Sequence, residues 1–196
     1  MSGELLLVLG LAALALGMMP GTEALGMPPF RLALWGCLLL VGSAVSFDVA
    51  RWPVALSVNA GGVFVPVAAA VAWGVGTPAD ERRRGLWAML AVAAVGFAMM
   101  RVLGSSPSPA WVSPPVLTGV TAGVIASLLP HEPRTVAVAA CAGLLAAQCG
   151  VALDLALAAE PVLVTVGGAE GYDALVIGAV TGAALSLLGR PGGERP

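Results

Sequence analysis

Apolar residues run along this chain in long blocks, interrupted by short clusters of proline, glycine and charge. Seven blocks stand out, near 4–19, 31–50, 53–76, 85–103, 115–129, 135–158 and 172–189. The interruptions are Pro20-Gly21 with Pro28-Pro29, Arg51-Trp52-Pro53, Thr77 to Arg84, Ser105 to Pro115, Pro130 to Arg134 and Glu160-Pro161. None of these stretches can continue a helix in lipid without exposing backbone groups or charge. The blocks lack the period-two alternation of barrel strands. A membrane-spanning helix takes about 20 apolar residues. The pattern therefore predicts an all-α fold, a polytopic transmembrane helical bundle of about seven helices forming a single integral membrane domain over 1–196. Leu5 to Met19 reads as a first short transmembrane helix, because Glu4 stands where a signal peptide would be positive.

Composition sharpens this picture. Of 196 residues, 59% are apolar and only 10% are charged, whereas a soluble domain carries roughly 25% charged residues. Water-soluble enzymes, nucleic-acid binders and disordered regulators are excluded, and a net charge of −2 offers no basic patch for nucleic acid. All nine basic residues are arginine. With so much Ala, Gly and Val, that usage points to a GC-rich prokaryotic genome and hence to the inner (cytoplasmic) membrane. Seven alternating helices collect Arg31, Arg82, Arg83, Arg84, Arg134, Arg190 and Arg195 on one face, against Arg51 and Arg101 on the other. Arginine excess marks the cytoplasmic face, so the N-terminus is expected outside and the C-terminus inside. Cys37, Cys141 and Cys149 lie in apolar runs and read as free thiols. With one histidine, His131, and no phosphate loop or His/Cys cluster, neither a metal nor a cofactor is expected. Gly119-x-x-x-Gly123 and Gly178-x-x-x-Gly182 bring helices close, either within the chain or between copies, so an oligomer stays open.

Candidate chemistry lies in polar residues inside the apolar blocks, where they are costly. These are Asp48, Asn59, Arg101, Asp154 and Asp173. At about 1.5 Å per helical residue, all five fall in the outer third of the membrane. Asn59-Ala60-Gly61-Gly62, followed by Pro66, predicts a kink or an unwound stretch, a device that lines cavities or simply lets a neighbouring helix approach. Gly167-Gly168-Ala169-Glu170-Gly171-Tyr172-Asp173 offers free N–H groups at the start of a helix. There Asp173 is either a functional carboxylate or a partner of the helix dipole. Asp154 has no cation within helical reach, so it needs a partner from another helix, and Arg51 or Arg101 could supply an ion pair. Gln148 reads as an interhelical hydrogen-bonding group.

In order along the chain, the Asn59-x-Gly61-Gly62-x-x-x-Pro66 segment, Asp154-Leu155 and Gly167-Gly168-Ala169-x-x-Tyr172-Asp173 resemble a family of prokaryotic multi-pass membrane proteins known only as a domain of unknown function. The resemblance covers about residues 48–188; it departs at Ala152-Leu153, where the family has Gly-Ala. That family implies a fold but no activity. More distantly, two transmembrane aspartates, one after an aromatic, are similar to diaspartyl intramembrane proteases, although no Gly-x-Gly-Asp motif is present. This likeness implies an intramembrane aspartyl hydrolase of a transmembrane peptide, with Asp154 and Asp173 catalytic. The alternative is a small transporter or cation- or proton-binding membrane protein. It would use Asp48, Asn59, Asp154 and Asp173, with Gly61, Gly62, Gly167, Gly168 and Tyr172 shaping the site. Membrane lipid is a partner under either reading.

Overall fold

The computed structural model describes Val8 and residues 29–50, 55–105, 113–158 and 163–189. The predicted first segment, 4–19, lies outside the described residues apart from Val8. The elements are α1 (Pro29–Ser43), β1 (Ser46–Ala50), β2 (Ala55–Asn59), α2 (Ala60–Gly76), α3 (Ala79–Ser105), α4 (Pro114–Ala126), α5 (Pro133–Leu157), β3 (Leu163–Val166) and α6 (Ala169–Leu188). The described residues are mostly helical. Three stretches, Ala79–Leu103, Pro133–Leu157 and Glu170–Leu188, are helices long and apolar enough to cross a membrane.

The all-α expectation needs one correction. The predicted helices 31–50 and 53–76 each lose one end to a strand, and β3 joins them in a three-stranded sheet of order β1-β2-β3. The physical reason lies in the residues. Ser46-Phe-Asp-Val-Ala and Ala55-Leu-Ser-Val-Asn are short, partly alternating and β-branched, and a short apolar run is ambiguous between helix and strand. Reach is gained by the exchange. The 15 residues of α1 rise only about 22 Å, and the five of β1 add about 16 Å at strand rise. Asp48 therefore sits on a strand, exposed, with Ser57 as its antiparallel partner.

β2 and β3 run parallel, Ala55 beside Leu163 through Val58 beside Val166. Each feeds directly into a helix, so α2 and α6 start side by side and run the same way. α3 and α5 run in the opposite sense. A side chain at Gly85 would meet Thr135, one at Gly143 would meet Val92 and one at Gly96 would meet Ala147, so α3 and α5 are parallel to each other. Charged residues begin α3 six positions before its apolar block, because Asp80 and Glu81 suit the positive end of the helix dipole. Glu81 does a second job there. Its Oε1 accepts the backbone N–H groups of His131 and Glu132 at 2.8 and 2.9 Å, tying the start of α3 to the turn before α5. Arg82, Arg83, Arg84 and Arg134 thus share one end of the bundle, and the sheet occupies the other.

The core is built from small residues, among them Ala88, Ala122, Ala126, Ala139 and Ala140, around Val92, Val136 and Leu144. The two glycine pairs read from the sequence meet within the chain. A Cβ on Gly123 would lie 2.7 Å from the Gly178 carbonyl oxygen and 2.8 Å from the Gly182 nitrogen. Close α4–α6 packing is their use. Gly123→Val should accordingly cost about 1–3 kcal/mol of stability through overpacking, visible as a lower Tm in detergent. An unchanged Tm would refute this backbone contact.

Candidate functional site

The sheet end gathers the polar residues singled out in the sequence, but gives them unequal tasks. Asn59 closes β2 and caps α2. Its backbone is extended (φ −86°, ψ 130°), and its Oδ1 accepts the Gly62 N–H at 2.9 Å. Its Nδ2 donates to the Ser43 carbonyl at 2.7 Å and the Ser46 hydroxyl at 3.3 Å. At 4% exposure, Asn59 has its side chain committed to joining α1, β1 and α2. That task differs from the ligand-binding role the transporter reading gave it.

Gly61 and Gly62 serve close approach. A Cβ on Gly61 would fall 2.5 Å from the Leu39 carbonyl oxygen of α1, and one on Gly62 would collide with the Gly167 backbone. Gly167 holds φ +70°, a left-handed conformation that favours glycine, and its own Cβ would lie 2.8 Å from Gly62. The two strand-to-helix junctions thus touch backbone to backbone. Gly168 is the N-cap position of α6, and Tyr172, one turn on, is fully buried. Asp173 is half-buried on the same helix.

Asp154 finds its partner in Arg101. Nη2 lies 3.2 Å from Oδ2, with the two side chains 48% and 44% exposed. This is the ion pair the sequence offered as an alternative to a catalytic role. Arg51, the other possible partner, lies outside the described residues. An ion pair this open is worth about 0–1 kcal/mol. Asp154→Asn and Arg101→Gln should each shift Tm only slightly, and the double variant should be no worse than the larger single. A collapse of either single variant would show the pair to be desolvated.

Gln148 carries the feature that reading the sequence missed. Its Oε1 accepts the Gly167 N–H at 2.7 Å, so it holds the second junction as Asn59 holds the first. These are the only Gln and the only Asn in the chain, and that singularity was the available signal. Gln148 is 8% exposed, and its Nε2 has no hydrogen-bond partner. A buried amide N–H without an acceptor costs about 1–3 kcal/mol, and so attracts a ligand oxygen.

Gln148 also lines a cavity of about 330 Å³ between the end of α3, the start of α4, β3 and the start of α6. This lies within the usual range for small-molecule sites. Met100, Leu103, Pro114 and Pro115 make its walls apolar, while Thr118, Thr165 and Glu170 add polar groups. No side chain caps the first turn of α6, and Gly171 packs directly against the Gln148 amide, where a Cβ would lie 2.6–2.8 Å away. Among the described residues, no three His, Cys, Asp or Glu side chains group to hold a metal ion. No family model, curated protein or solved structure matches this chain.

Proposed function

We propose that this chain is a multi-pass inner-membrane protein of a prokaryote that binds, and moves, a small polar solute through the cavity at its sheet end. The observation that carries the reading is the buried, unpartnered Nε2 of Gln148 in the cavity wall, where two helices begin directly from strands. Helices interrupted at membrane depth are a recurrent way of building transporter sites, because a helix start turns free N–H groups and a positive dipole end toward the substrate. The exposed edge strands β1 and β3 need water for their unpaired backbone groups, which favours a sheet at the membrane–water boundary. About seven spans, an outer N-terminus and a cytoplasmic C-terminus fit the arginine distribution. The aspartyl-hydrolase reading draws less support, because Arg101 already engages the Asp154 carboxylate.

The test is a thermal-shift series on purified protein in lipid nanodiscs with neutral amino acids, monocarboxylates, primary amines and sodium ion as probes. At least one class should raise Tm, and Leu103→Trp, which fills the cavity, should cancel that rise. The reading fails if no probe acts, or if Leu103→Trp folds and leaves the response intact.

A further inference from the structure

The polar groups around the cavity specify more than polarity. At its buried wall stands a donor, the Gln148 Nε2, which takes an acceptor oxygen. Beside it lies the uncapped first turn of α6, whose N–H groups and dipole favour negative charge on that oxygen. Glu170 lies in the same cavity, exposed, and makes no ion pair among the described residues. Its carboxylate calls for a cation. Between these poles the walls are Met100, Leu103 and the Pro114-Pro115 pair, which suit a short hydrocarbon group.

Resting on the solute-binding reading above, we infer that the ligand is a small zwitterion with an apolar substituent, of the kind a neutral aliphatic amino acid represents. Its carboxylate meets Gln148 and the start of α6, its ammonium meets Glu170, and its side chain packs on Met100 and Leu103. A bare carboxylate would leave Glu170 without a counter-ion beside the negative ligand. A bare amine would leave the Gln148 N–H groups unsatisfied. The cavity therefore discriminates against both halves of its ligand.

Valine, isovalerate (valine without its amine) and isobutylamine (valine without its carboxylate) separate these contributions. Titrated against the nanodisc-embedded protein, valine should bind on the order of tenfold more tightly than either half, the ratio expected for one lost charge-assisted hydrogen bond. Glu170→Gln should bring valine down to the level of isovalerate, and Glu170→Asp should recover part of the difference. Glu170 is exposed, so both variants are expected to fold.

Equal binding of valine and isovalerate, unaffected by Glu170→Gln, overturns the zwitterion while leaving the cavity reading intact. So does silence from all three probes when another solute binds and Leu103→Trp blocks it. Binding that persists in folded Leu103→Trp overturns both.

Discussion

Gly167→Ala should be the most damaging single-methyl change in this protein. The residue holds φ +70°, and an added Cβ would lie 2.8–3.1 Å from the backbone atoms of Gly62. Left-handed backbone costs a residue with a side chain about 1–2 kcal/mol, and an overpacked contact adds about 1–3 kcal/mol. Together, on the order of 2–5 kcal/mol compares with a total stability of about 5–15 kcal/mol for ordinary domains. The opposing glycine gives the control. Gly62→Ala meets the same contact from the other side but at an ordinary helical conformation, so it should cost less. Tm by intrinsic fluorescence and the monodisperse fraction on size exclusion would report both variants. Equal, small effects would mean that the two junctions do not touch.

Asn59→Ala is expected to come next. It removes the acceptor for the buried Gly62 N–H and the donor for the Ser43 carbonyl in one step. Loss of an N-cap costs about 0.5–2 kcal/mol, and stranding a buried backbone group costs about 1–3 kcal/mol. A total near 2–4 kcal/mol follows. Asn59→Ser separates the two parts, since a hydroxyl can cap α2 but is too short to serve α1 as well. Recovery of about 1 kcal/mol relative to alanine is the expected result. A serine variant no better than alanine would assign the whole effect to the tie to α1.

The helical blocks were legible because their boundaries are chemical. Pro114 and Pro133 start α4 and α5 within two residues of the reading, and Gly167-Gly168 marks the start of α6. The small-residue pairs Gly119/Gly123 and Gly178/Gly182 announced a close helix contact, and the structure supplies it inside the chain. The strands were hidden. Five-residue runs such as Ser46–Ala50 carry no period that separates them from the end of an apolar helix, and the pairing of β2 with β3 is non-local.

The candidate site was legible only in part. Asn59, Gly62 and Gly167 were marked by their oddness, and they do converge. What spacing along a chain cannot reveal is which polar atoms are already used. Asn59 turned out to be saturated and Asp154 paired, whereas Gln148, which looked like an ordinary interhelical bond, kept a donor in reserve.

The parallel pairing of β2 with β3 also bears on how the chain is assembled. Ala55 and Leu163 lie more than a hundred positions apart, and α2 to α5 are made between them. While the chain emerges, β2 has only the β1 edge to bond, and its other edge stays open until β3 is synthesised. The bundle therefore closes late and around a waiting strand, a slow, non-local step. A ribosome-bound chain ending before Leu163 should expose that edge to chaperones and proteases, and one extended past α6 should be protected.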